Sequence, residues 1–170
     1  FINAIQVKIQ PDTAEWDAGD IRYNVLRWTS SPSPPWGGYG PSFVNPRTGE
    51  ILGADIMLEW TYITNRIVQN ELFNQIDNNY HSDFFCNSAK FQQIENSLGM
   101  NYIKSMDLSK SVEEELVKQS LYRLVLHEVG HTLGLNHNFK GSTLLTNDEL
   151  NDKDIVSKKG VCNSVMEYPA

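Results

Sequence analysis

The chain is short of cysteine, of basic residues and of long apolar runs, and each shortage narrows what it can be. Cys86 and Cys162 are its only cysteines. A single bridge between them would close a long loop and contribute ~4 kcal/mol on the chain-entropy model. Two buried free thiols fit the sequence equally well. Lys and Arg together number 14 against 21 Asp and Glu, for a net charge of −7 and a pI near 5.0. That balance argues against nucleic acid as a partner, which calls for basic patches, and Lys158-Lys159 is too short to supply one. No run of about 18 apolar residues occurs, so no membrane-spanning segment is expected. Internal repeats and low-complexity stretches are absent too. At 170 residues with 40% hydrophobic content, the chain is one domain able to bury an ordinary core.

Histidine is concentrated instead of scarce. Three of the four lie in His127-Glu-Val-Gly-His-Thr-Leu-Gly-Leu-Asn-His137. His127 and His131 are four apart, so on a helix their rings share one face and can share a metal. Glu128 sits beside the first ligand, where it can reach a water on the metal without being a ligand. Gly134 allows a left-handed turn out of the helix that swings His137 back to the same ion. Three imidazoles leave a fourth position open, the pattern of a catalytic zinc site rather than a structural one. A lone histidine on an apolar helix is ordinarily a core residue, and a bare H-E-x-x-H arises by chance. The added glycine and third histidine at fixed offsets select the metal reading, with one Zn2+. The complete histidine set leaves no need for a cysteine ligand.

The helix beneath this motif has its own signals. Ser111-Val-Glu-Glu114 reads as a capping box, and Glu113, Glu114 and Glu115 place negative charge at the positive end of the helix dipole. Leu121, Val125, Val129 and Leu133 recur every four residues as a core-facing stripe. Gly134 ends the helix after about 23 residues, or ~35 Å. Upstream, Asn3–Gln10, Ile21–Thr29 and Tyr39–Asn45 read as strands. Asn45–Glu50 makes a turn, and Leu52, Ala54, Ile56, Leu58 and Trp60 share one face of the next strand. The Pro- and Gly-rich segment Ser30–Gly38 is a surface connection or a flexible rim of the cleft. Helical spacing recurs more weakly over Tyr62–Asn74 and Ser88–Leu98. His81, next to Asp83, reads as part of an exposed polar loop, because no further ligands cluster there for a second metal. Thr146-Asn-Asp-Glu149 is a further capping box opening a short helix, and its acids lack calcium-loop spacing.

Downstream of the histidines, Ser164-Val-Met-Glu-Tyr-Pro169 resembles the methionine turn of the metzincin metallopeptidases. By that resemblance Met166 floors the histidine site. Tyr168 takes the position where astacins and serralysins carry a tyrosine that can bind the metal and swing toward substrate. Gly40–Asp55 looks like the hairpin that precedes the metzincin catalytic helix. Together with Arg22–Trp28 it is similar to a group of large bacterial zinc-dependent metalloproteases. Asn138, after the third histidine, differs from the residue that astacins, serralysins, reprolysins and matrix metalloproteases carry there.

The resemblance implies an α+β catalytic domain over 1–170, a twisted mixed sheet packed on a long zinc-binding helix. Residues 1–137 would form its upper part and 138–170 a small lower part ending in the methionine turn. It also implies hydrolysis of a protein or peptide substrate, with Glu128 as general base and Tyr168 as hydrogen-bond donor to the oxyanion. The substrate would pair with the Tyr39–Asn45 edge strand, at Gly40, Ser42 and Phe43. The first metzincin strand and long helix are not found before Ile5. The chain is therefore expected to be part of a larger secreted, periplasmic or cell-envelope protein, with contacts to its missing flanking domains. The alternatives are a zinc-bearing binding or scaffold module of such a protein, and a non-peptide hydrolase.

Overall fold

The strongest strand alternation, Ile51–Glu59, becomes the central strand, β4. The computed structural model describes residues 4–31, 36–64 and 88–168. β1, Val25–Thr29, pairs with β4 in parallel, Val25 opposite Asp55 and Thr29 opposite Glu59. On the other side two short antiparallel pieces run along β4: β2, Gly38–Tyr39, and β3, Ser42–Val44. The sheet is mixed, and with the helices the fold is α+β, as the sequence implied. The Asn45–Glu50 turn closes through Gly49 N–H to the Asn45 carbonyl at 2.8 Å, with Gly49 at φ 75°. That left-handed conformation is one only glycine enters without strain.

Ala54, Ile56 and Leu58 are buried from one face of β4, as their period of two requires. Leu52 is exposed near the open end of the strand. Trp60 leaves the pattern because it begins helix α1, Trp60–Thr64, where the period changes from strand to helix. The expected first strand, Asn3–Gln10, is not formed over residues 4–10. Val7 and Ile9 are 87% and 96% exposed there, and a strand with no partner edge gains neither ladder bonds nor burial. The strand expected over Ile21–Thr29 starts only at Val25. Asp20–Tyr23 is instead a turn, held by Tyr23 N–H to the Asp20 carbonyl at 3.0 Å and by Arg22 on the Asp20 carboxylate at 2.6 Å.

Helix α2, Ser88–Ser105, outruns the weak spacing that suggested it. Helix α3, Lys110–Thr132, has the expected 23 residues. It starts two residues earlier than the Ser111–Glu114 box implied, with Ser109 as N-cap and no side-chain cap bond. The Ser109 hydroxyl pairs with that of Ser111 at 2.7 Å, which draws the predicted capping side chain away from the backbone. The centre of the α3 interface is Leu124, fully buried against Ile56, Leu58 and Tyr62, with Leu121, Val125 and Val129 packed around it. Burying such a leucine stabilises by roughly 1.5–3 kcal/mol. Leu133 caps the helix and is exposed, so it drops out of the predicted stripe.

Two partners, the sheet and α2, explain why the buried surface of α3 is wider than one row of side chains. Against α2, a Cβ on Gly99 would lie 2.9 Å from Leu116 Cδ2, so the two helices approach at a glycine. Asn96 donates to Ser120 Oγ at 2.6 Å, Arg123 to Glu95 at 3.2 Å and the Tyr62 hydroxyl to Gln92 at 2.7 Å.

After α3 come a 3-10 helix, Phe139–Leu144, and two short helices, α4, Asn147–Leu150, and α5, Lys153–Lys159. The Thr146–Glu149 capping box forms as predicted. No helix among the described residues is long and apolar enough to cross a membrane. The helical reading beyond Thr64, His81, Asp83, Cys86 and hence its pairing with Cys162, the middle of the Ser30–Gly38 loop, and Pro169 lie outside the described residues.

Candidate metal centre

The last turns of α3 carry His127 and His131 with ring centroids 4.8 Å apart. The helix then stops in a paired-bond C-cap: Leu135 N–H reaches the Gly130 carbonyl at 3.0 Å, and Gly134 N–H reaches that of His131 at 2.9 Å. Gly134 takes φ 85°, the left-handed value this terminator needs. The chain reverses and brings His137 to within 3.1 Å of His131, Nε2 to Nε2. One ligand atom from each of the three histidines lies within 4.8 Å of the other two.

Main-chain carbonyls orient the first two rings. His127 Nδ1 donates to the Val165 carbonyl at 2.6 Å and His131 Nδ1 to that of Leu135 at 3.0 Å. A carbonyl only accepts, so each Nδ1 carries the proton and each Nε2 keeps a lone pair for a metal. Burial lowers His127 to a pKa of about 4, against a smaller opposing effect of the Val165 carbonyl. Burial also lowers His137, and the neighbouring His131 ring, on which a second positive charge would be repelled, works in the same direction. Both shifts favour the neutral imidazole that metal ligation requires.

Glu128 is fully buried, and neither carboxylate oxygen has a hydrogen-bond partner among the described residues. Burial pushes its pKa up to about 7, and the Gly40 amide, close by but outside hydrogen-bonding geometry, offsets a smaller part of this. The edge strand passes directly over this side chain. A Cβ on Gly38 would sit 2.9 Å from Glu128 Oε1, and one on Gly40 would sit 2.6 Å from the Glu128 main-chain oxygen. These contacts correct the expected continuous strand over Tyr39–Asn45. Gly40 is pressed on the helix backbone, Pro41 offers no N–H, and the ladder breaks between β2 and β3. Ser42 and Phe43 lie in β3, and Gly40 lies outside any strand.

Met166 is buried under the site. It faces Gly130, where any Cβ would overlap its sulfur. The Tyr168 hydroxyl meets His137 Nε2 at 2.8 Å. His127, His131, His137, Met166 and Tyr168 are therefore brought together, with Glu128 alongside.

Sequence reasoning missed four contributors. Val165 and Leu135 act through carbonyls, to which side-chain identity gives no clue. Gly130, between two ligands, and Glu167, inside the turn that follows them, stand within the two motifs, and only the packing of the turn on the helix gives them a task.

A three-nitrogen donor set with one coordination position left open suits zinc. The buried, unpartnered carboxylate of Glu128, next to His127 in the chain, fits the same ion, since a cation and its water would satisfy both of its oxygens. The family described as Met-zincin matches residues 109–170, less than half of the chain but including the whole histidine motif and the turn. No curated protein and no solved structure matches the chain. The histidine triad and the family match over residues 109–170 together support a zinc metallopeptidase-like domain.

Proposed function

We propose that this metzincin-like domain is a zinc-dependent endopeptidase, with His127, His131 and His137 holding one ion and Glu128 serving as general base. The observation that carries the proposal is the carboxylate of Glu128, the residue after His127 on the same helix, fully buried with both oxygens unpartnered among the described residues. An ionisable group held that way costs stability unless a charge or a proton partner joins it. A bound zinc supplies Lewis acidity toward a peptide carbonyl and acidifies a water molecule.

Glu128 accepts the proton of the attacking water and returns it to the departing amine. Burial holds its carboxyl near neutrality, where both transfers are feasible. Tyr168, whose hydroxyl lies on His137, donates to the oxygen that gains charge. β3 pairs only with β4 among the described residues. Its outer edge near Ser42 and Phe43 can take an extended peptide by strand addition, with Gly40 keeping the approach to the helix short.

The test is digestion of casein or a peptide library by the zinc-loaded protein, with and without a chelator, alongside Glu128→Gln. Cleavage that the chelator abolishes and the variant lacks supports the reading. Zinc uptake without cleavage of any peptide overturns it in favour of a binding module.

A further inference from the structure

Glu167 is 2% exposed, yet it is a carboxylate next to the methionine turn, and proton transfer has no use for it. Its two oxygens do different work. Oε1 accepts from the Tyr168 amide at 3.0 Å and Oε2 from the Ser142 amide at 3.0 Å. Ser142 belongs to the 3-10 helix that begins two residues after His137. One buried carboxylate therefore ties the segment following the last histidine to the backbone of the tyrosine whose hydroxyl lies on that histidine.

The surroundings are built for this tie. A Cβ on Gly141 would fall 3.2 Å from both Glu167 Cβ and Oε2, and 3.3 Å from Ser164 Cβ. A glycine is what lets the 3-10 helix close on the carboxylate. Two further backbone bonds run between the same segments, Asn138 N–H to the Met166 carbonyl at 3.0 Å and Asn163 N–H to the Gly141 carbonyl at 3.2 Å. Among the described residues, Glu167 is the one side chain that crosses this seam with both oxygens engaged. Hydrogen bonds from backbone amides to a carboxylate are charge-assisted and short. Breaking them would take from both amides, one on the exposed Ser142 and one on the half-buried Tyr168, the partner that fixes their backbone.

We infer that Glu167 is a positioning residue. By clamping the Ser142 and Tyr168 amides, it holds His137 and Tyr168 in register with the two helix-borne histidines. It neither ligates the ion nor exchanges protons with substrate. The metal role rests on the zinc reading above, whereas the clamp itself does not.

The test compares the full chain with Glu167→Gln and Glu167→Ala by two measurements. The first is amide exchange in the metal-free protein. In Glu167→Ala, Ser142 and Tyr168 should exchange at least about tenfold faster while the amides of α3 keep their protection. In Glu167→Gln one carbonyl oxygen remains, so one of the two amides should stay protected. The second is zinc affinity by competition with a chromophoric chelator, expected to fall about 10–100-fold in Glu167→Ala and less in Glu167→Gln. Should Glu167→Ala fail to fold, Glu167→Gln decides alone.

Unchanged exchange at both amides in a folded variant overturns the clamp. Lost protection with parental zinc affinity overturns the positioning role. Because neither measurement involves peptide cleavage, a protein that binds zinc but hydrolyses nothing would refute the peptidase reading and leave this inference standing.

Discussion

Replacing Glu128 by Gln in the metal-free protein should remove a pH-dependent loss of stability. In the unfolded chain this carboxyl ionises near 4.5, and in the fold burial raises it to about 7. The folded state thus holds the proton more tightly. The resulting stability is fully present below pH 4.5 and is lost as pH rises through 7. The interval between the two values corresponds to about 3 kcal/mol.

Gln is neutral throughout, so it carries a constant offset from its own buried amide and no slope of this origin. Urea unfolding of chelator-treated wild type and Glu128→Gln at pH 4.5 and pH 8.5 reads the effect. The stability of the variant relative to wild type should rise by about 3 kcal/mol between the two conditions. The histidines titrate in both chains and largely cancel in the comparison. Zinc loading should shrink the difference, because the cation supplies the missing partner for the carboxylate. Parallel pH dependence in the two metal-free chains would refute the claim that Glu128 is buried without compensation, and with it the chief support for its role as base.

Other consequences are equally direct. His131→Ala should lose zinc at neutral pH, checked by elemental analysis after loading and dialysis, because the site then keeps only two nitrogen ligands. Gly130→Ala must push its new methyl into the Met166 sulfur. It should cost about 1–3 kcal/mol, read as a lowered Tm, whereas the exposed Leu133→Ala should be nearly neutral. Tyr168→Phe should keep zinc while kcat toward peptides falls by about 10²-fold or more, the usual cost of one lost oxyanion donor. An unchanged kcat would remove Tyr168 from the mechanism. In zinc-loaded protein, Glu128→Gln should lower kcat by roughly 10²–10⁴-fold, measured by peptide hydrolysis.

The legible parts of this chain share one physical property, which is that they are local. The spacing of His127, His131 and His137 with Gly134 between them encodes a helix face followed by a left-handed exit, and the glycine is found at φ 85°. The length of α3, the Thr146–Glu149 cap and the alternation of Ala54, Ile56 and Leu58 were equally readable. In each, residues a few positions apart decide the outcome through backbone geometry and side-chain period.

What the sequence did not reveal depends on partners far along the chain. Residues 4–10 have the alternation of a strand, but alternation cannot supply an edge to pair with. Leu124 outranks the predicted stripe because α2 and the sheet both press on α3. The edge strand breaks at Gly40 because a helix backbone lies on it, a contact 88 positions away from Glu128 by number. The Val165 carbonyl on His127 and the reach of Glu167 to Ser142 likewise arise only when the turn after the helix is folded against it.

The sequence by itself therefore determined which atoms can hold a metal and on what kind of element they sit, since a helical repeat is a property of neighbours. Tertiary structure alone decided that the Val165 carbonyl takes the Nδ1 of His127, how deeply Glu128 is buried and that the Tyr168 hydroxyl lies on His137. Those follow from close packing between segments that are distant in the chain, where one backbone carbonyl or one missing Cβ sets the geometry.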